Sequence, residues 1–316
     1  MPRVMLFGGG GFIGSSLVDV LLSMGHEVVV ADVERRLARL DRFESLIERR
    51  RLSAGDFNSL VEILAGVDRL IALKWSSTPA SSMTSISSDA RENIGGHLAL
   101  FDAVAVAGSV QQIIFLSSGG AVYGNPPSDL TSEEIAPDPI SAYGISKVAV
   151  EQYLKLYSSI IGIPVTVLRL SNPYGPYQFA GTPVGVISAF LRNVWEERQI
   201  DVFGDGSIIR DYIFIEDAVY AIAVCLDRAD ALRGVFNVGS GRGVSINDLL
   251  GIISGVTGIY PQIRYQERRS FDVQRIVLDV SRFRGRTGWA PRVSIQEGVE
   301  TMWRLLCNSK WSSIRE

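Results

Sequence analysis

Short runs of aliphatic and β-branched residues recur along the first 170 positions, each followed by a longer stretch with apolar residues three and four apart. RVMLF (3–7), EVVVAD (27–32), RLSAGD (51–56), DRLIAL (68–73), QQIIFLSS (111–118) and PVTVLRL (164–170) read as strands, and most are nearly unbroken apolar runs, as parallel strands covered on both faces are. Helical patterns lie between them, near 12–24, 58–65, 90–107 and 142–161. This alternation predicts an α/β fold built on a doubly wound parallel sheet. From residue 171 the pattern changes: SNPYGPYQFAGTPVG is dense in turn formers, and short mixed strands and helices follow. The expected division is a first domain over 1–170, with a returning segment near 211–238, and a smaller, discontinuous mixed α/β domain over 171–316. The second would lie over the carboxyl ends of the strands, where such sheets take their ligands.

Composition narrows the chemistry. With 316 residues, 47% of them hydrophobic, there is material for one large or two modest domains. A formal charge of −3, with acids interspersed among the arginines, argues against a nucleic-acid partner. No apolar run reaches the ~20 residues that cross a bilayer and no signal-like segment precedes the first strand, so a cytoplasmic protein without membrane contact is expected. Cys225 and Cys307 sit in apolar helical contexts without metal-ligand spacing and are expected to be buried free thiols. His26 and His97 alone give little material for a zinc site or a Ser-His-Asp triad, and no metal is expected.

GGGGFIGSS (8–16) follows the first strand directly. Glycines at 8, 11 and 14 permit a tight turn, backbone approach to a pyrophosphate, and close packing of the next helix. A bare glycine run could equally be a flexible turn. The second strand, however, ends in Asp32, eighteen residues beyond Gly14. A carboxylate there can accept both hydroxyls of an adenosine ribose and repel a 2′-phosphate, so a Rossmann-type site for NAD rather than NADP is expected. Arg35, Arg36 and Arg39 either form a solvated helix face or tolerate the extra phosphate.

Tyr143-Gly-Ile-Ser-Lys147 puts a phenol and an ammonium one turn apart on one helix face. A phenol ordinarily titrates at ~10, so service as a base near neutrality asks for a downward shift of about three units, ~4 kcal/mol. The lysine and a positive nicotinamide can supply it. A surface pair is the plain alternative.

Together these segments resemble the extended short-chain dehydrogenase/reductase family, in particular the NAD-dependent nucleotide-sugar epimerases and dehydratases of the UDP-glucose 4-epimerase type. The resemblance covers nearly the whole chain: GGGGFIGSSL (8–17), Asp32, GDF (55–57), Asn93 in ENIGG, SSGGAVYG (117–124), YGISK (143–147), LRLSNPYGP (168–176), GDGSIIRDYIFIED (204–217), FNVGSG (236–241), RSFDV (269–273) and GWAP (288–291). It implies that tightly bound NAD lies against Gly8, Gly11, Phe12, Ile13, Gly14, Asp32, Asp56, Phe57, Leu73, Asn93, Ser117, Tyr143 and Lys147, with Asp56 at the adenine. It makes Tyr143 and Lys147 catalytic, with Tyr143 taking the sugar hydroxyl proton and Lys147 holding the nicotinamide ribose; Ser118 is the candidate for the third catalytic group. It places the substrate against Ser118, Asn172, Phe203, Arg210, Arg269, Asp272 and Ile276. Asn172, Arg210 and Arg269 would hold the diphosphate, Phe203 the base and Asp272 its ribose, and the size of Ile276 leaves both plain and N-acetylated sugars open.

The sequence also departs from that pattern. In the family a Ser or Thr four residues before the YG tyrosine bridges the phenol and the sugar O4, but counting back from Tyr123 reaches Gly119. Ser118 points to the opposite face of an ideal strand, and Ser117 points the right way but sits ~6.6 Å back. The expectation is that Ser118 turns inward at the strand end, or that a water fills the room left at Gly119. ALKW (72–75) stands where the family has a His-Leu-Ala-Ala type of sequence, so Lys74 and Trp75 either crowd the nicotinamide side or point elsewhere. The hydroxyls of SSTPASS (76–82) belong either to the sugar pocket or to an ordinary polar loop.

Gly120 and Ala121 occupy the positions where the resemblance places the Asp-Glu pair of dehydratases, and both histidines precede the region where 3,5-epimerase acids should lie. The expected activity is therefore NAD-dependent 4-epimerisation of a UDP-hexose or UDP-N-acetylhexosamine through a 4-keto intermediate. Helices 90–107 and 142–161, apolar on more than one face, and the resemblance point to a homodimer, with packing inside one chain as the plain alternative for the helix faces. Two alternatives stay open: an NDP-4-keto-sugar reductase, and a catalytically inactive NAD(H)-sensing module.

Overall fold

The computed structural model describes residues 2–52, 57–179 and 185–308. Seven parallel strands form the main sheet in the order Gly234–Val238, Val165–Leu170, Gln112–Ser118, Arg69–Ala72, Arg3–Phe7, Glu27–Asp32 and Ile47–Arg51. Helices cover both faces, as the doubly wound pattern requires. On one, Leu17 and Leu21 of helix Phe12–Ser23 pack with Ala218 and Ile222 of helix Ile215–Val224. On the other, Phe101 and Val104 of helix Gly96–Ala107 pack with Val150 and Leu154 of helix Ala142–Ile161. Each aliphatic side chain buried in this way contributes roughly 1.5–3 kcal/mol. Among the described residues, no helix is long and apolar enough to cross a membrane.

The third strand is Ile47–Arg51, not 51–56, and 53–56 lie outside the described residues. IERRR carries no apolar signal because it is an edge strand, paired only with Glu27–Asp32. Its arginines reach outward, Arg49 to the Leu40 carbonyl and Arg50 to that of Ile63, both at 2.6 Å. Charged side chains on an edge also discourage further pairing. The expected thiols divide: Cys225 is buried, but Cys307, at the end of the amphipathic helix Ile295–Cys307, is exposed.

Beyond the main sheet, strands Asn172–Tyr174, Ile209–Phe214, Gly243–Ser245 and Arg275–Ile276 form a smaller one, and Ile200–Phe203 pairs with Ile263–Gln266. The chain from 209 to 238 serves both layers. Ile209–Phe214 pairs in the smaller sheet, then helix Ile215–Val224 and strand Gly234–Val238 return to the main one.

Helix Ala142–Ile161 governs the site. The Ser141 side chain caps it by accepting from the Gly144 N–H at 3.2 Å, and Gly162 closes it in the left-handed region. Tyr143, Lys147 and Glu151 follow at intervals of four on the face turned to strand Gln112–Ser118.

Candidate active site

In the turn after the first strand Gly8, Gly9, Gly10 and Gly14 leave no room for a side chain, Gly8 and Gly14 most severely and against backbone atoms. Gly8 has φ +87°, and a Cβ there would lie 2.5 Å from the Lys74 Cα; a Cβ on Gly14 would lie 2.3 Å from the Gly9 carbonyl oxygen. Gly11 differs, because its nearest neighbour would be an ordinary 3.6 Å away. Protein packing therefore does not demand glycine at 11, whereas the close approach of a pyrophosphate at the start of helix Phe12–Ser23 would. Asp32 is 1% exposed and accepts from the Gly10 N–H at 3.0 Å and the Val33 N–H at 2.8 Å, so the strand tip and the turn are tied together. Arg36 stands 4.0 Å from that carboxylate. Phe12, Ile13 and Leu73 pack partly buried against the core beside this turn, Phe57 is exposed, and Asp56 lies outside the described residues.

Ser118 is the last residue of its strand, and a short helix, Gly119–Val122, begins immediately after it. The Ser118 hydroxyl is turned toward the Tyr143 phenol, where it favours the ionised form. The alternation that argued against Ser118 does not survive the turn at the strand end. The space at Gly119 is occupied by protein: a Cβ there would lie 2.5 Å from the Leu278 Cδ1 and 3.0 Å from the Arg169 carbonyl oxygen. Leu278 thus fills the room expected to hold a water. Ser117 points to the interior, where its hydroxyl hydrogen-bonds Glu151, and Glu151 pairs with Arg169 at 2.6 Å with both side chains buried.

In the protein alone the phenol shifts upward. Burial pushes Tyr143 up to about 12, with the Asp89 charge adding to the rise and the Ser118 hydroxyl opposing it. Burial pulls Lys147 down to about 7, against the favourable fields of Glu151 and Asp89. The ammonium donates to the Leu116 carbonyl at 2.7 Å and sits 3.7 Å from the centre of the Trp75 ring. Trp75 therefore turns beneath the lysine, against His97, Phe115 and Tyr143.

Asp89, 4% exposed, has no place in the sequence reading. It accepts from the Ser77 hydroxyl, from the Asn93 Nδ2 at 3.0 Å and from the Ser146 hydroxyl at 2.6 Å. A π-helical turn over Ala90–Gly95 aims Asn93 inward, where its Oδ1 also accepts from the Ser76 N–H and hydroxyl. Ser82 accepts from the Tyr143 N–H at 3.0 Å. The hydroxyls of 76–82 thus tie their loop to the tyrosine helix. An Asp and an Asn four apart on a helix were the available signal for Asp89.

On the other wall, Asn172 donates to the Asp211 carbonyl at 3.2 Å, and its Oδ1 lies 3.1 Å from where a Cβ on Gly120 would be. Asp211 is fully buried, accepting from the Ser240, Gly241 and Leu278 backbone, and anchors the strand that carries Arg210. Burial draws the Arg210 guanidinium below its ordinary range, with Asp272 among the groups that hold it up. The Arg269 guanidinium stacks 3.4 Å above the Phe203 ring. Ile276, 2% exposed, belongs to a closed apolar cluster with Val122, Tyr123, Val273 and Leu278.

A nucleotide-binding turn facing a tyrosine–lysine helix across the same sheet is the layout of an NAD-dependent α/β enzyme of the short-chain dehydrogenase kind. The NAD dependent epimerase/dehydratase family matches residues 4–239, and the chain belongs to it. It is similar to a UDP-glucose 4-epimerase of Mycolicibacterium smegmatis, 34% identical over 94% of this chain and 96% of the relative. It is also 30% identical to a dTDP-4-dehydro-6-deoxyglucose reductase of Escherichia coli, covering 95% of this chain and 96% of that one. Among solved structures, the Thermotoga maritima UDP-glucose 4-epimerase with UDP-glucose superposes with a TM-score of 0.88 at 31% identity, over 97% of this chain and 99% of the other. The Thermus thermophilus UDP-glucose 4-epimerase complex with NAD gives 0.86 at 28%, with the same coverage. This protein is thus an enzyme of that family, with NAD as its cofactor.

Proposed function

We propose that the protein interconverts the C4 epimers of a nucleotide-linked hexose, of the UDP-hexose or UDP-N-acetylhexosamine class. The observation that carries this reading is the Ser118–Tyr143–Lys147 group at the glycine turn, with Gly120 and Ala121 adjoining in place of any further acid or base. A single proton relay serves oxidation and reduction at one carbon, whereas eliminating water at neighbouring carbons needs two more proton-transfer groups. NAD, tightly held at the glycine turn, supplies the hydride acceptor and a positive ring. Tyr143 takes the O4 proton and returns it to the 4-keto oxygen, Ser118 holds the phenol oxygen and O4 in line, and Lys147 lends its charge. Asn172, Arg210 and Arg269 grip the diphosphate, whose flexibility lets the sugar turn between the two half-reactions. Phe203 and Asp272 take the base and its ribose.

Two copies pair through the helices that frame this site. Ile145, Tyr153, Leu156 and Ile160 on helix Ala142–Ile161, with Val106 on its neighbour, expose a continuous apolar face. Free Cys225 and Cys307 suit the reducing cytoplasm.

The test assays UDP-glucose/galactose, their N-acetylated counterparts and the dTDP sugars with no added cofactor. The reading expects C4 inversion of at least one pair. A one-way reduction of a 4-keto sugar that requires added NADH would favour the reductase chemistry of the Escherichia coli relative instead.

A further inference from the structure

Lys147 poses a problem of charge. It is 4% exposed, and among the described residues one of its three N–H donors is accepted, at the Leu116 carbonyl. No carboxylate lies within ion-pair distance of it among the described residues. Asp89 faces it from helix Ile86–Asp89 but is held by Ser77, Asn93 and Ser146. Glu151, one turn along its own helix, is held by Ser117 and Arg169. His97 faces it from helix Gly96–Ala107 and, kept neutral by burial, offers no charge; Lys74 also acts on that imidazole, and the Tyr143 phenol completes the surroundings. What the ammonium does meet is the face of Trp75, 3.7 Å from ring centre, with Phe115 at 4.9 Å. The indole is the most favourable of the aromatic faces for a cation, and desolvation strengthens the contact.

We infer that Trp75 is a positioning residue: its indole face carries the Lys147 ammonium in an ion-pair-free apolar pocket and fixes it one helical turn from the Tyr143 phenol. This rests on the reaction proposed above for its consequence in turnover, but not for its geometry. Trp75 packs edge-on against the Tyr143 ring, centroids 5.7 Å apart, and its indole N–H makes no hydrogen bond to the phenol. It sets where the lysine stands and how readily it keeps its proton, because a cation–π contact favours the charged form. The ring itself is held by its packing on His97 and Phe115, with centroids 5.2 and 6.3 Å away. The loop that carries it is tied to the tyrosine helix through Ser77, Asp89 and Ser146.

The chain has only four lysines, at 74, 147, 155 and 310, so ¹³Cε-lysine NMR can follow each titration in the NAD-loaded protein, with Lys147→Arg assigning its signal. Trp75→Leu removes the face. Trp75→Phe keeps a weaker one without losing a hydrogen bond, because the indole N–H finds no partner among the described residues. The Lys147 midpoint should fall by about half to one unit in Trp75→Leu and by less in Trp75→Phe, the size of a desolvated cation–π contact. The alkaline limb of the kcat profile should move down by the same amount, while the sugar KM changes less than twofold. An unmoved midpoint in both variants overturns the inference. So does a fall in thermal stability and kcat with no change in the pH profile, the mark of a packing role alone. If the wild type turns over no nucleotide sugar, the functional reading fails while the NMR titration still decides the role of Trp75. If Trp75→Leu does not fold, Trp75→Phe decides by the same criteria.

Discussion

Replacing Ser118 with alanine deletes one hydroxyl at the centre of the proposed chemistry and little else. Its residue is half-buried, its hydroxyl acts on the Tyr143 phenol, and the strand and short helix that meet there are backbone structures that alanine can join. Stability should change by no more than ~0.5 kcal/mol. Catalysis should change much more. Burial already holds Tyr143 up at about 12, and Ser118 is the side chain that counters it in the protein alone. A hydrogen bond to a charged group contributes roughly 1.5–3 kcal/mol, and at 1.36 kcal/mol per decade its loss from a phenolate-like transition state lowers kcat by about 10- to 150-fold. Substrate KM should stay within about threefold, because the diphosphate and base contacts are elsewhere. Ser118→Thr should recover most of the rate. Adding Gly119→Ser to the alanine variant should not, because that side chain would meet Leu278 and the Arg169 carbonyl, at a cost of ~1–3 kcal/mol in stability. A coupled assay of 4-epimer formation with a thermal melt of each variant reads both quantities. A Ser118→Ala enzyme within threefold of wild-type kcat would refute the assignment.

Two further outcomes test the surroundings of the site. Glu151→Ala leaves the buried Arg169 guanidinium without its carboxylate, so urea unfolding should show a loss of ~3–5 kcal/mol; a loss below about 1 kcal/mol would show that the pair does not hold the helix to the sheet. His97 is kept neutral by burial down to about 3, against an ordinary 6.5. Below 6.5 the unfolded chain binds that proton and the folded chain does not, so stability falls with pH across the window from 6.5 to about 3. Between pH 7 and 5 the wild type should lose ~2 kcal/mol more than His97→Gln in denaturant titrations, and equal losses would count against the burial argument.

The parts of this protein that follow a period were legible before the structure. Both-face burial makes the inner strands continuous apolar runs, and the helices between them repeat at three and four. Ile47–Arg51 was missed for the complementary reason: an edge strand covered on one side only carries arginines without penalty. The glycine turn and the Tyr143–Lys147 spacing could be read because their geometry is local. For Ser118 two readings stood, a serine turned inward or a water at Gly119, because alternation holds only within a strand and the chain turns helical at the next residue. What fills the room at Gly119 was beyond any local rule, since Leu278 arrives from 159 positions downstream. Trp75 and Asp89 are of the same kind: nothing in ALKW or SSDARE says that one ring will lie under Lys147 or that one carboxylate will gather three side chains from separate segments. The upward pull of burial on Tyr143 was not legible, because charge partners show in a spacing, whereas desolvation shows only once the surrounding walls are placed.

The most direct measurement of the central claim is to incubate the purified protein, with no cofactor added, with UDP-galactose in D₂O and follow the sugar by NMR. Hydride removed from C4 and returned by the same bound NAD never meets solvent. The account predicts UDP-glucose that carries protium at C4, formed until the two epimers reach equilibrium. Deuterium at C4, or no inversion at C4 for UDP-galactose and its N-acetylated counterpart alike, would contradict it.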